Sequence, residues 1–223
     1  MQDDEFVRTT KKRTLVVMPT YNELENLPIQ LGEIFKFNSD LDVLIVDDNS
    51  PDGTGTLADA LAAKNAHVTV LHRKAKGGIG PAYVEGFSWA LKQGYEYIFE
   101  MDADGSHRSQ DLPALRKVLS SCDLVIGSRW VKGGAVQNWP LLRKLVSRSG
   151  NAYANFCLGT SISDITAGFR GYRASVLRRI DLKSVAAQGY SFQIEMAWRA
   201  KSLGAEIVEV PITFVERVHG QSK

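Results

Sequence analysis

Short apolar runs alternate with longer segments of helical periodicity along most of the chain. The apolar runs are rich in β-branched residues and end at proline or at polar turn residues, which is typical of buried strands. They predict five strands, over 14–19, 41–48, 67–72, 95–101 and 123–128. The segments between them carry apolar residues every three or four positions. They predict four helices, over 24–37, 57–63, 81–93 and 112–119.

This alternation predicts an α/β fold. Because the strands are apolar throughout, we expect a mainly parallel sheet that is covered by helices on both faces. The chain has 223 residues, of which 44% are hydrophobic and 23% charged, and this fits one globular domain. We therefore expect a single domain over 14–223, preceded by a flexible polar tail over 1–13.

Composition excludes several classes of protein. The net charge of +2 gives no reason to expect a nucleic-acid partner. Cys122 and Cys157 are far apart and match no zinc spacing, so we expect a reducing, cytoplasmic environment. No apolar run approaches the ~18 residues of a membrane-spanning helix, and the N-terminus lacks the apolar core of a signal peptide. The ending HGQSK suggests that further residues follow Lys223 in the full-length protein.

Polar side chains follow four of the predicted strands directly. They are PTYNE at 19–23, DDNS at 47–50, DAD at 102–104 and GSR at 127–129. Each segment alone is more often a turn or a helix cap. In a parallel sheet, however, ligands bind at the carboxyl ends of the strands. Four such segments at one edge therefore predict a binding site there.

Asp102 and Asp104 suggest a metal ion at this edge. On an extended segment, residues two apart project to the same side, and two adjacent carboxylates repel unless a cation lies between them. Oxygen ligands of this kind suit Mg²⁺ or Mn²⁺ bound together with substrate phosphates. Arg129, which we expect at the end of the neighbouring strand of the sheet, could bind a phosphate bidentately. Asp48 and Glu23 could accept hydrogen bonds from a ribose or a base.

The glycine-rich segment KGGIGPA at 76–82 favours a tight turn before a helix more than a dinucleotide site. It follows the third predicted strand instead of the first, and Tyr83 stands where the last glycine of the dinucleotide motif belongs. The four histidines do not cluster, and no positioned histidine or Ser/His/Asp arrangement is visible in the sequence.

Taken in order, these motifs resemble those of the dolichol-phosphate (polyprenol-phosphate) mannose synthases, which are inverting nucleotide-sugar glycosyltransferases with the GT-A fold. The resemblance covers nearly all of 14–223. The Asp-x-Asp pair and PTYNE mark the wider superfamily, and the Gln-x-x-Arg-Trp signature of processive polysaccharide synthases is absent. The matching segments are PTYNELEN, VDDNSPDGT, GGIGPAYVEGF, MDADGSH, IGSRWVKGG, NWPLLRKLVS, DITAGFRGYR and EVPITFVERVHGQSK.

The resemblance implies roles for individual residues. Those expected to hold the guanosine are Pro19, Tyr21, Glu23, Val46 and Asp48. Those expected at the diphosphate and its metal are Asp102, Ala103 and Asp104. Those expected to bind phosphates or to order a loop over them are Arg129, Arg217 and Lys223. Arg143 and Ser147 are expected to hold the acceptor phosphate, and Ser106 stands where some members have a glutamine that ligates the metal.

The resemblance also implies the reaction, which is metal-dependent, inverting transfer of mannose from GDP-mannose to a polyprenyl (dolichyl) phosphate. An acceptor phosphate with a second pKa near ~6 is mostly a dianion at pH 7, so it needs orientation more than a general base. Three alternatives remain open. They are transfer of glucose from UDP-glucose to the same lipid, a sugar nucleotidyltransferase, and a nucleotide-binding module without catalysis.

A basic segment suggests contact with a membrane surface. Residues 124–163 contain five basic residues and no acidic one. The apolar stripe within this segment is Trp139, Leu142, Leu145, Val146, Tyr153 and Phe156. A basic amphipathic helix can lie in a membrane interface, so we expect peripheral binding at the cytoplasmic face, with or without a membrane-anchored partner protein. The alternative is a helix whose apolar face packs on the core.

Overall fold

A computed structural model describes residues 12–216, and a seven-stranded sheet forms its centre. In chain order the strands of this sheet are β1 (Thr14–Thr20), β2 (Asp42–Asp47), β3 (Val68–His72), β4 (Tyr97–Glu100), β5 (Leu124–Ser128), β7 (Arg170–Arg173) and β8 (Ile207–Pro211). Two short strands, β6 (Ala135–Val136) and β9 (Thr213–Phe214), pair in parallel beside it. The spatial order of the sheet is β3-β2-β1-β4-β7-β5-β8. Only β7 runs antiparallel to its neighbours, so the expected mainly parallel sheet is confirmed.

Helices cover both faces of the sheet. They are α1 (Asn26–Phe37), α2 (Thr54–Ala62), α3 (Ile79–Lys92), α4 (Leu112–Leu119), α5 (Leu141–Leu158), α6 (Ala174–Arg179) and α7 (Tyr190–Ser202). Alternate side chains of a strand point to opposite faces. Leu15 and Val17 of β1 therefore join one apolar cluster with α3 and α7, whereas Val16 and Met18 join another with α1 and α4.

The predicted elements up to Ser128 are all present. The bounds of α4 agree with the prediction, whereas α2 begins three residues earlier than expected, at Thr54. One expectation about neighbours is wrong. Arg129 does not follow the strand next to β4, because the antiparallel strand β7 lies between β4 and β5.

The strand order reverses between β1 and β4. Strands β2 and β3 lie on one side of β1, and β4 lies on the other. Loops that leave the carboxyl ends of β1 and β4 therefore diverge and leave a crevice between them. The division into a tail over 1–13 and a domain over 14–223 stays a prediction, because Arg217, Lys223 and the first eleven residues lie outside the described part of the chain.

Candidate functional site

A cavity of about 830 Å³ opens at the carboxyl ends of β1 and β4. The segments that follow four strands meet there, as the sequence predicted. The predicted site residues that line it are Pro19, Tyr21, Glu23, Asp48, Asp102, Ala103, Asp104, Ser106, Arg129 and Arg143. Val46 and Ser147 are described by the structure but are not part of the lining.

The structure corrects the expected position of Val46. Its side chain is 0% exposed and packs in the core beside Gly86 of α3. Neighbouring side chains on a strand alternate between faces, and the one at this position of β2 faces the helix. The side chain of Val46 therefore cannot reach a nucleoside in the cavity.

The carboxylate of Asp48 holds the glycine-rich loop in place. It accepts hydrogen bonds from the backbone N–H groups of Gly77 and Gly78, at 3.0 and 2.9 Å, and from the guanidinium of Arg73. Gly78 has φ +90° and ψ 173°, a conformation that essentially only glycine adopts. Asp48 thus orients the loop that places Lys76 over the ring of Tyr21, with Nζ 4.1 Å from the ring centroid. Its expected contact with guanosine stays a prediction.

Two aromatic residues hold Asp102. The hydroxyl of Tyr83 donates to Oδ1 of Asp102 over 3.1 Å, and the backbone N–H of Asp102 donates to Nδ1 of His107 over 3.1 Å. Burial, followed by the negative charge of Asp102, raises the pKa of Tyr83 well above its usual value, so the hydroxyl keeps its proton. His107 is itself fixed by stacking on Phe169. His107 therefore supports the backbone at Asp102, a role that the sequence did not predict.

Asp104 is held by its own turn. The backbone N–H and the hydroxyl of Ser106 both donate to Oδ1 of Asp104, at 3.0 and 2.6 Å. Gly105 between them has φ +78°, which permits the sharp turn that returns the chain towards the carboxylate. The hydroxyl of Ser106 therefore supports Asp104, and its expected role as a metal ligand stays a prediction.

The Nε–Nη2 edge of Arg129, which could bind a phosphate bidentately, is already occupied by a carboxylate. Its Nε and Nη2 donate to the two carboxylate oxygens of Asp164, at 2.7 and 2.6 Å. Asp164 is 0% exposed and Arg129 is 7% exposed. Removing one partner of such a buried pair leaves an uncompensated charge, which costs about 3–5 kcal/mol. Arg129 therefore shapes the cavity wall, and a phosphate would have to displace Asp164 to bind Nε and Nη2 together.

Arg143 faces the cavity from the first turn of α5. Its guanidinium lies 4.0 Å from the ring centroid of Trp139, and its Nη1 is 2.6 Å from Oε1 of Glu216. Ser147 lies one turn further along α5 and is half-buried. Arg143 thus presents a positive charge to the cavity, whereas Ser147 is not part of the lining, and the expected phosphate contacts of both stay predictions.

The sequence profile of Glycosyl transferase family 2 matches residues 15–181, from β1 to just beyond α6. The chain belongs to this family. Its curated relatives include an undecaprenyl-phosphate mannosyltransferase from Micrococcus luteus, which is 53% identical over 95% of this chain and 87% of its own. A polyprenol monophosphomannose synthase from Mycolicibacterium smegmatis is 51% identical over 100% of this chain and 84% of its own. The resemblance drawn from the motifs is confirmed.

Solved structures confirm the GT-A fold of this family 2 glycosyltransferase. A mannosyltransferase from Pyrobaculum calidifontis in complex with GDP-Man and Mn²⁺ superposes with a TM-score of 0.64 at 18% identity, over 95% of this chain and 58% of that one. Glucosyl-3-phosphoglycerate synthase from Mycobacterium tuberculosis, in complex with Mn²⁺ and UDP-glucose, superposes with a TM-score of 0.68 at 18% identity. The match covers 95% of this chain and 72% of that one. Both of these structures were solved in complex with Mn²⁺.

The carboxylate pair of this glycosyltransferase fits such a metal ion. Within residues 12–216, no group of three or more His, Cys, Asp or Glu side chains is arranged to hold a metal alone. Mg²⁺ and Mn²⁺, however, commonly bind through one or two carboxylates and complete their coordination with phosphate oxygens and water. Asp102 and Asp104 supply hard oxygen ligands in a cavity that has room for a nucleotide.

A buried polar network beneath the site was not predicted. Glu100, at the end of β4, is 0% exposed and accepts a hydrogen bond of 2.5 Å from Nε2 of Gln193. Burial raises the pKa of Glu100 to about 7, and the positive charge of Arg170 opposes this shift. Arg170 donates to the carbonyl oxygens of Ile165, Ala167 and Gln193. The sequence does carry a signal for this network. Glu100 and Arg170 are charged residues in the otherwise apolar segments FEM and GFRGY.

Proposed function

We propose that this glycosyltransferase transfers mannose from GDP-mannose to a polyprenyl phosphate with inversion at the anomeric carbon. The observation that carries the proposal is that one cavity contains the carboxylate pair, four of the five residues expected at the nucleoside and the cation of α5. The identities of 51% and 53% to polyprenyl-phosphate mannosyltransferases support this choice of sugar and acceptor.

The donor occupies the part of the cavity that follows β1 and β2. Tyr21 and Glu23 line it, and Lys76 lies against the ring of Tyr21. The ring offers an apolar face to a base, and the carboxylate of Glu23 can accept hydrogen bonds from a ribose or from a guanine N–H. Asp48 contributes by fixing the loop that carries Lys76.

Asp102 and Asp104 would hold Mg²⁺ or Mn²⁺ at the diphosphate end of the donor. When bound, the metal neutralises charge on the departing nucleoside diphosphate. The chain's contribution is to fix both carboxylates before substrate arrives. Tyr83 and His107 orient Asp102, and Ser106 orients Asp104. A preorganised site of this kind avoids rearrangement during the reaction.

The acceptor enters from the side of α5. Its phosphate is mostly a dianion at pH 7, because its second pKa is about 6. A phosphate oxygen can therefore attack the anomeric carbon without a general base, and the bond from that carbon to the nucleotide breaks with its electron pair leaving on the diphosphate. Arg143 pairs with the acceptor phosphate and orients it. Attack from the face opposite the leaving group inverts the configuration.

The lipid tail requires a membrane or a micelle. None of the helices within 12–216 combines the length and the apolar character needed to cross a bilayer. The apolar face of α5 is instead open to solvent, with Leu142 at 71%, Leu145 at 63% and Phe156 at 88% exposure. We place this face in the membrane interface, with the basic residues of α5 at the lipid headgroups. Trp139 does not belong to this face, because it packs against Trp130 and Phe214.

An assay of lipid-extractable sugar tests the proposal. Purified protein is incubated with GDP-mannose or UDP-glucose, a polyprenyl phosphate in detergent, and Mg²⁺ or Mn²⁺, with EDTA as a control. We expect a mannosylated lipid of inverted anomeric configuration, formed only with a divalent metal. If product forms from UDP-glucose and not from GDP-mannose, the enzyme is a glucosyltransferase instead of a mannosyltransferase. Formation of a nucleotide sugar from a sugar phosphate would indicate a nucleotidyltransferase, and nucleotide binding without any product would indicate a binding module.

A further inference from the structure

The cation expected to hold the acceptor phosphate already has an anionic partner. Nη1 of Arg143 lies 2.6 Å from Oε1 of Glu216, and both side chains line the cavity. A carboxylate presents two acceptor oxygens to a guanidinium much as a phosphate does. Glu216 therefore already occupies one of the Arg143 nitrogens that an acceptor phosphate would use.

Glu216 is placed there by the strand that precedes it. Strand β9 pairs with β6, and the ring of Phe214 packs against His107 and Trp139. The N–H of Val215 donates to the carbonyl oxygen of Ser106 over 3.2 Å. The backbone of Val215, next to Glu216, is thus hydrogen-bonded to the loop that carries Asp104.

We propose that Glu216 is an internal competitor for the acceptor phosphate and that it sets the affinity of the site for the acceptor. This inference rests on the proposed function, because it takes Arg143 as the acceptor-binding cation. The acceptor phosphate displaces the Glu216 carboxylate from Arg143, and the displaced side chain turns away from the dianion that repels it. Glu216 is a residue that determines acceptor affinity and selectivity, and it takes no part in bond making.

The exposure of the pair makes such an exchange feasible. The side chains of Arg143 and Glu216 are 44% and 41% exposed, and ion pairs at this exposure contribute little to stability because water competes for both charges. The pair of Arg129 and Asp164 is the opposite case, since it is buried and cannot exchange at low cost. A phosphate dianion carries more charge than a carboxylate and pairs bidentately with arginine, so it wins the competition. A monoanionic ligand has no such advantage.

The test compares Glu216→Gln with wild type and with Glu33→Gln. The control breaks the ion pair between Glu33 and Lys36 on α1, which has similar exposure and lies away from the cavity. A short-chain, water-soluble isoprenyl phosphate replaces the lipid, so that membrane binding does not affect the result. We expect Glu216→Gln to lower the acceptor KM about two- to fivefold without a matching change in the donor KM. It should also improve inhibition by an isoprenyl carboxylate, whereas Glu33→Gln should change neither quantity.

A double variant shows whether the effect acts through Arg143. In an Arg143→Ala background, the Glu216→Gln substitution should no longer lower the acceptor KM. As a single substitution, Glu216→Asp keeps the carboxylate, so its acceptor KM should match that of wild type. The inference would be overturned if Glu216→Gln raised the acceptor KM. It would also be overturned if Glu216→Gln lowered the acceptor KM equally in the Arg143→Ala background. The failure of the proposed function looks different, because wild type would then form no product. Calorimetric binding of the isoprenyl phosphate to the same variants would still decide the role of Glu216.

Discussion

At the scale of single residues, the carboxylates of the site were predictable and their supports were not. Asp102 and Asp104 stand two apart after an apolar run, and that pattern alone predicts a pair that faces one way. Tyr83 and His107 carry no such local signal, because the first reaches Asp102 from a helix and the second depends on the turn after β4. Contacts of this kind are fixed by tertiary packing, which a single sequence does not display.

Removing the support of Asp102 should lower activity without unfolding the protein. Tyr83→Phe deletes one hydroxyl that donates to a carboxylate, and hydrogen bonds to charged groups are worth about 1.5–3 kcal/mol. We expect kcat/KM for the donor to fall about tenfold or more. Tyr95→Phe is the matched control, since its hydroxyl donates to Asp42 at the other end of the sheet. Equal losses in the two variants would contradict a specific role for Tyr83.

Asp104 and Ser106 can be separated by substitution. Asp104→Asn removes a predicted metal ligand, so transfer should fall at least ~100-fold and Mn²⁺ binding in the presence of nucleotide should weaken. Ser106→Ala removes only the hydroxyl that orients Asp104, and we expect a loss of about tenfold. Calorimetric titration with Mn²⁺ and the transfer assay measure both effects. If Ser106→Ala is as damaging as Asp104→Asn, then the hydroxyl is itself a ligand.

The two arginines expected at phosphates should behave differently when each is replaced by alanine. Arg129→Ala leaves Asp164 buried and unpaired, so we expect a loss of about 3–5 kcal/mol and a clear fall in Tm. Arg143→Ala breaks an exposed pair, so stability should change by less than about 1 kcal/mol while the acceptor KM rises. Thermal unfolding and steady-state kinetics give the two readouts. A normal Tm for Arg129→Ala would show that Asp164 finds another partner.

At the scale of secondary-structure elements, the hydrophobic pattern predicted what each segment becomes and missed how some segments pair. Strands β1, β2, β4 and β5 are apolar runs whose burial follows directly from that pattern, whereas in the edge strand β3 only Val68 is buried. Strand β7 reads RGYR, which is too short and too polar to be predicted, yet it separates β4 from β5. It can do so because Gly171 accepts the ring of Phe99 against its backbone and Arg170 finds three carbonyl oxygens.

Helix α3 packs closely on β1 only because position 86 is a glycine. This requirement comes from tertiary packing and is not visible in the local sequence. A Cβ on Gly86 would lie 2.4 Å from Cγ1 of Val17, so Gly86→Ala forces the helix away from the strand. We expect a loss of about 1–3 kcal/mol in the free energy of unfolding, measured by urea denaturation. Gly32→Ala in α1 meets no atom within 4 Å and should stabilise the protein by up to about 1 kcal/mol. If Gly86→Ala leaves the free energy of unfolding unchanged, then α3 can shift away from β1 without loss of stability.

At the scale of the whole molecule, positive charge and exposed apolar side chains occur together on α5. The segment 124–163 carries five basic residues and no acidic one, although the chain as a whole has a net charge of only +2. Arg143 stands on the same helix as the exposed apolar face. Binding of that face to a membrane would therefore bring Arg143, the cation proposed to bind the acceptor, to the level of the lipid headgroups, where the acceptor phosphate lies.

This arrangement predicts salt-sensitive binding to anionic vesicles. Leu145→Ser/Phe156→Ser should abolish co-sedimentation at low salt, because each apolar side chain inserted in the interface contributes about 1.5–3 kcal/mol. High salt should weaken binding of wild type, since each basic residue near such a surface contributes about 1 kcal/mol and is screened. Ile29→Ser removes an apolar residue of similar exposure from α1 and is the matched control. The double variant should still transfer mannose to a short-chain, water-soluble acceptor, because neither residue lines the cavity. If wild type fails to sediment at low salt, or if Ile29→Ser is equally impaired, then α5 is not the surface that meets the lipid.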